Sequence, residues 1–405
     1  MKQFFLALSI LCTCPLLSVN AQKWRYDFIV PDNGNFTQAI NAANHRANKA
    51  KRYRIFVRAS NYRIGNTRAV LTAPNTSIIG EQRHGTQIEA CPQTEGLDNT
   101  GTLCIQGADS TYIQDIEFWS NFRDDSRLYA NSSVALSEKN SHGTVLKNIS
   151  LLSTGNTYYN TDGSTSYLED CHIAGTVDFV CGAGTAFFNH CDLLLIPRGD
   201  ASKQHIIAAP TTDERANYGF IFSDCYINGP QHQKGRYLLG HAGRNHSSGL
   251  RSKPRVSFIN CQMNIAPSPQ GWDDNGEAGG SLTEYENTDS LFQPFDRSQR
   301  KTVMLSPEEA EKLTPTQIFQ GWNPRNKSEQ LPPPVLTMQG RNITWQDVPG
   351  AGCYAVCKDR KVVAFTTEPR YAIPAGTKEG ACFTVRCANQ MGGLGQRSQE
   401  VVYPQ

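Results

Sequence analysis

Beyond residue 21 the 405-residue sequence contains no apolar run approaching a membrane span, which takes about 20 residues. It has no surplus of either charge. Its 39 Lys and Arg against 37 Asp and Glu leave a formal net charge of +2, giving no electrostatic ground for nucleic acid or an acidic surface as partner. There is no CxxC pair, no His/Cys cluster at zinc spacing and no group of acids suited to Ca²⁺. What the chain does have is a start, "MKQFFLALSILCTCPLLSVNAQ", with Lys2, a short apolar core and the small-residue site Val19-Asn20-Ala21. This reads as a signal peptide over 1–21, too short in its apolar core to span a membrane. Neither Cys12 nor Cys14 has the preceding small residue of a lipoprotein site. Export permits disulfides, but the spacing of the remaining cysteines is not that of a small disulfide scaffold. The mature length suits two domains.

Six segments share one pattern: "YIQDIEFW", "VLKNISLL", "YLEDCHIA", "FFNHCDLL", "IFSDCYIN" and "FINCQMNI". Each brings an apolar residue, polar residues, then Ile or Cys: Ile116, Ile149, Cys171, Cys191, Cys225 and Cys261. The closest repeats lie about two dozen residues apart or slightly less, a period that marks a solenoid. The spacing predicts a right-handed parallel β-helix whose stacked coils align these positions as an inward ladder. The four cysteines are then small buried core residues. Asp115, Asn148, Asp170, Asp224 and Asn260, each just before a ladder position, predict turns.

The ends differ from the middle. "NFTQAINAANHRANKAKR" spaces Phe36, Ile40 and Ala43 as one helix face with Asn35 as N-cap, a cover for the open end of a solenoid. Around "NPRNKSEQLPPPV" the chain turns charged and Pro-rich, which predicts a linker over 325–334. Short strands follow to the C-terminus, predicting a fibronectin type III-like β-sandwich over 335–405 with Trp345 and Tyr354 in one small core. One or two disulfides are expected among Cys353, Cys357, Cys382 and Cys387, with open connectivity. The fold class expected is all-β.

One acid stands out. In "CHIAGTVDFVCGAGTAFF" Asp178 is alone among small and apolar residues, a costly placement unless something pairs with it or uses it. "GTVDFVCG" closely resembles the "GTVDFIFG" signature of the pectin methylesterases, carbohydrate esterases of the parallel β-helix fold. The order of further matches agrees: "GNFTQAINAA", "NTSIIGE", "SSVAL", "GNTYYN", "YLLGHAGR" and "GWDDNG…TEYENTD". The resemblance covers residues 27 to 324, which sets the β-helix domain at 22–324, and leaves the sandwich outside.

The resemblance implies a two-carboxylate reaction on galacturonate methyl esters without metal or cofactor. One Asp attacks the carbonyl. A second protonates the leaving methanol and then activates water. Two Gln side chains help stabilise the oxyanion, an Arg orients the nucleophile, and aromatic residues hold the sugar. Asp178 takes the nucleophile position, Phe179 a neighbouring aromatic contact, and Trp272 a binding-cleft position. The second Asp corresponds to Asn156, the Gln before it to Gly155, the other Gln to Ser132, and the Arg to His241, with Arg244 nearby as a substitute. An amide neither gives nor takes a proton at neutral pH, and general acid–base help is worth ~10²–10⁴ in rate.

Among substitutes, His241 has a suitable proton affinity, against its bland reading as a surface-loop His. Asp162 reads as a solvated turn residue, and Tyr158 and Tyr159 as cleft wall or core, with sugar stacking by Tyr158 the functional reading. The implied partner is pectin or another galacturonate-containing polysaccharide, the implied state a monomer, and the implied location periplasmic, cell-surface or extracellular. Two alternatives stand beside the esterase: a family member that binds pectic oligosaccharide without turnover, and one with a changed ester or thioester substrate.

Overall fold

The computed structural model describes residues 22–94, 96–122, 133–161, 163–198, 202–243, 252–273 and 280–404. The signal-peptide reading of 1–21 lies outside them. Successive coils each place one strand in each of three parallel sheets of 11, 8 and 9 strands, so that neighbours in a sheet are coils apart in sequence. This is the parallel β-helix expected from the repeats.

The ladder forms as the spacing predicts. Ile116, Ile149, Cys171, Cys191, Cys225 and Cys261 are all buried in one core. Each cysteine thiol of the ladder reaches a carbonyl of the preceding coil, from Cys171 to Leu146 at 3.4 Å through Cys261 to Phe222 at 3.5 Å. Burial pushes the thiols of Cys171, Cys191 and Cys225 well above their ordinary value, leaving them inert. The residue before each ladder position turns the chain through the left-handed region, with φ between 48° and 57° at Asp115, Asn148, Asp170, His190, Asp224 and Asn260. Asn and Asp tolerate that conformation better than other side chains. Beside the ladder Phe188, Phe222 and Phe258 stack at 4.4 Å per step. The end of the solenoid is covered by the helix Phe36–His45, which buries Phe36, Ala39, Ile40 and Ala43 and starts at a capping box formed by Asn35 and Gln38.

The C-terminal strands form antiparallel sheets of 3 and 4 strands around Ile343, Trp345, Tyr354, Val356 and Phe383. Trp345 and Tyr354 meet edge-on at 5.2 Å. The expected disulfides are absent: Cys353, Cys357, Cys382 and Cys387 are all free thiols. The pleat explains it. Cys353 and Cys357 point toward the β-helix, whereas Cys387 points into the sandwich core.

The stretch expected as a linker is instead packed. It contains the short helix Arg325–Ser328, and Arg325 donates to Tyr167 Oη at 3.3 Å and Asn189 Oδ1 at 3.2 Å on the solenoid. The sandwich docks on the outer face of the 11-stranded sheet, closing over Tyr26, Phe56, Ile79 and Tyr112. Arg386 from the sandwich is buried there against Asp115 at 3.0 Å.

Candidate active site

Asp178 lies in the strand Val177–Gly182 of the 8-stranded sheet. Val177 pairs with Ile206 and Val180 with Ala208, so this strand carries one residue more than its neighbour. Such a bulge re-aims side chains. Asp178 sits at its turn with φ of 52°, a conformation that costs an ordinary residue energy and concentrates at functional positions. The bulge turns Asp178 outward while Phe179 and Val180 both enter the core. Two glycines permit it. A Cβ at Gly175 would meet Phe179 Cβ at 2.3 Å, and one at Gly182, where φ is 117°, would meet Asn160 O at 2.0 Å.

The partner of Asp178 is His241, at the end of the strand Leu238–His241: Nε2 lies 2.8 Å from Asp178 Oδ1. The side chains keep 12% and 26% of their surface, so the pair is reachable by a ligand yet sheltered enough for the interaction to hold. Burial acts to lower the His241 pKa, but hydrogen bonding to Asp178, its charge, a backbone bond at Ala242 and the Asp273 charge together raise it above the ordinary value. His241 thus stands where the resemblance expects an Arg.

Asn156 is also at the site. Its Nδ2 donates to the Asp178 carbonyl at 3.2 Å and lies 3.5 Å from Cys181 Sγ. The amide therefore braces the strained backbone of Asp178. Gly155 offers no side chain, and its N–H goes to Ser153 Oγ at 3.3 Å. Ser132 and Arg244 lie outside the described residues, as does Asp162.

The three aromatic residues expected at the cleft are placed otherwise. Phe179, Tyr158 and Trp272 have no exposed surface and belong to the solenoid core. Trp272 meets Phe258 edge-on at 6.1 Å. The cause is the pleat: neighbouring residues in a strand face opposite sides. Tyr158 points in and donates to Glu138 Oε1 at 2.9 Å, while half-buried Tyr159 falls in the row with Ser137 and Cys181. Likewise the residue beside the site is Asp273, not Trp272. Asp273 pairs directly with His241 across the strand Trp272–Asp273, and strands lie about 4.8 Å apart. Sequence reading missed Asp273 because "GWDDNG" looks like a solvated turn. Glu138 is buried completely and accepts from Tyr158 and Ser166, so it is sealed from the cleft.

A carboxylate in a left-handed turn on the outer face of a parallel β-helix, paired to an imidazole, is the candidate site, and the fold together with the family match makes the chain a β-helical carboxylic ester hydrolase. The Pectinesterase model matches residues 29–322, and the chain belongs to that family. Pectinesterase A of Dickeya dadantii is 26% identical over 303 residues, covering 64% of this chain and 81% of that protein. A pectinesterase/pectinesterase inhibitor of Arabidopsis thaliana is 29% identical over 136 residues, spanning 32% of this chain but 22% of the plant protein's length. Among solved structures, the pectin methylesterase PemA of Erwinia chrysanthemi superposes with a TM-score of 0.61 at 22% identity, covering 74% of this chain and 99% of that one. The carrot pectin methylesterase gives 0.60 at 20% identity, over 74% and 95%.

Proposed function

We propose that the protein hydrolyses methyl esters of galacturonate in pectin, with Asp178 as nucleophile and His241 as both its holder and its proton carrier. The observation that carries this reading is the 2.8 Å contact between His241 Nε2 and Asp178 Oδ1 on the open face of the solenoid. The Asp178 carboxylate attacks the ester carbonyl, and the tetrahedral oxyanion collapses as the C–O bond to methanol breaks. The His241 imidazolium gives its proton to the leaving methoxide. The acyl–Asp178 anhydride then takes water, one proton of which returns to His241; the carboxylate of Asp178 is restored, and the product leaves as galacturonic acid and gives its proton to solvent. One imidazole thus does the work that the family resemblance assigns to a second Asp.

Asn156 gives its amide N–H groups to the Asp178 carbonyl and to Cys181 Sγ, and so holds the backbone that presents the nucleophile. Asp273 is a positioning residue, its charge favouring the imidazolium from the neighbouring strand. Ser132 is the proposed substrate contact, and Arg244 the proposed substitute for the Arg that orients the nucleophile. Residues 1–21 serve as the signal peptide for export to the periplasm, cell surface or medium. Residues 335–405 are a fibronectin type III-like unit, joined through 325–334, that covers one face of the solenoid. The protein works as a monomer.

Methanol release from methylated pectin by the mature protein is the test, with the Asp178→Asn variant as control. Release by the native protein, lost in the variant, fits the reading. Pectic oligosaccharide binding with no release from any of several pectins would instead favour the binding-only relative, to which Asn156 lends support.

A further inference from the structure

A cavity of about 650 Å³ lies over the outer face of the 11-stranded sheet, a different sheet from the one bearing Asp178. Its size falls in the range of ligand sites, about 300–1,000 Å³. Its floor carries the threonines Thr165 and Thr185, and its walls the half-buried rings of Tyr218, Phe319 and Trp322. Lys327 closes one side, its Nζ 5.1 Å above the Trp322 ring.

The charge of Lys327 is the unusual feature. It is half-buried, yet among the described residues no carboxylate pairs with it. Arg52 approaches it from behind and donates to two uncharged oxygens, Ser77 Oγ at 3.0 Å and the carbonyl of the cavity residue Ser110 at 3.0 Å. Two further charged side chains line the cavity, one of each sign. Arg215 pairs with Asp213 at 2.8 Å, and Asp109 accepts the His142 N–H at 2.8 Å. Burial and the like charge of Arg52 lower the Lys327 pKa, and burial with Arg54 and Arg46 brings Arg52 down to about 10. A cation at the cavity wall with no carboxylate paired to it favours an anion that enters beside it.

We infer that this cavity is a second carbohydrate site, in which an oligogalacturonate stacks a sugar on Trp322 and sets its carboxylate against Lys327. Stacking surface and a hydroxyl-bearing floor suit a sugar, and the uncompensated cation suits a uronate over a neutral one. The choice of galacturonate rests on the esterase reading of the chain. The site retains de-esterified polymer while Asp178 works elsewhere on it.

The test uses the mature protein labelled with fluorotryptophan and titrated with unmethylated hexagalacturonate, with fluorine resonances assigned by Trp322→Phe. The Trp322 resonance is expected to shift on titration. By calorimetry, Lys327→Gln and Trp322→Ala are each expected to weaken this event about tenfold. Methanol release from a short methylated oligomer stays within about twofold of native in Lys327→Gln. A neutral galactan oligomer and sodium sulfate should each leave the resonance in place. A silent Trp322 resonance, or an unchanged affinity in Lys327→Gln, overturns the site. An equal response to sulfate or to the neutral oligomer overturns its assignment to a uronate. If the resonance shifts but no methanol is ever released, the esterase reading fails and the binding site stands.

Discussion

At the scale of single residues, the site depends on how Asp178 and His241 share a proton. The His241 pKa is raised in the folded protein, so the imidazolium form persists above the ordinary value of about 6.5. In the proposed reaction that form protonates methoxide, so methanol release should decline as pH rises through the folded His241 pKa. His241→Gln keeps a hydrogen bond to Asp178 but carries no proton. It should lose about 10²–10⁴ in kcat and this alkaline limb together, read from pH–rate profiles of both proteins. The linkage has the same sign. The Asp178–His241 contact stabilises the fold fully below the unfolded pKa, and this contribution disappears as pH rises through the folded one. Asn156→Asp would add a second acid beside Asp178. It also removes the amide that braces the Asp178 backbone and ionises at lower pH than an imidazole, so methanol release is expected to fall near neutrality, read from the same pH–rate profiles.

Elements show which parts of this arrangement are legible in sequence. Ladder positions and the left-handed turns before them follow from side-chain type alone. Cys, Ile, Asn and Asp recur where a coil needs a small core residue or a positive φ. Asp178 was legible for the same local reason, as an acid with no visible partner. The cleft aromatics were not. A bulge of one residue decides that Phe179 goes inward, and the pleat decides that Asp273 rather than Trp272 stands beside His241. Neither the bulge nor the facing is marked by a turn residue.

The buried Glu138 was also invisible, since its partners Tyr158 and Ser166 come from later coils. Burial raises its pKa to about 7 against the hydrogen bonds from Ser166 and Tyr158. Here the sign is opposite to that of a salt-bridged acid. Between about pH 4.5 and 7 the folded state binds the extra proton, so stability falls over that window by about 3 kcal/mol and then levels off. Glu138→Gln should flatten that part of the melting-temperature profile. Gly182→Ala, forced against Asn160 O, should lower the melting temperature by far more than an exposed Gly→Ala change.

For the whole molecule, the sandwich is part of the solenoid's packing. Trp24 lies under an Arg54 guanidinium at 4.1 Å, and Tyr26 donates to Gly392 O at 2.6 Å, so the first described residues are held between the two units. Nothing in the local sequence announces this, because docking depends on two surfaces that each look ordinary alone. Arg386 and Asp115 are both largely buried in it, with 11% and 6% of their side chains exposed. Removing one partner of such a pair leaves a buried charge, and Arg386→Ala should cost about 3–5 kcal/mol. Both units are expected to unfold in one calorimetric transition, in the native protein and in the variant alike. Two separated transitions in the native protein would mean that the docking is weak.

The central claim is that one carboxylate and one imidazole suffice for ester hydrolysis here. Methanol release from methylated oligogalacturonate by the native, Asp178→Asn and His241→Gln proteins across about pH 5–9 tests it most directly. Release is expected from the native protein, none above background from Asp178→Asn, and a strongly reduced, pH-flat rate from His241→Gln. Release that survives Asp178→Asn, or a His241→Gln protein with native rate and pH dependence, would contradict it.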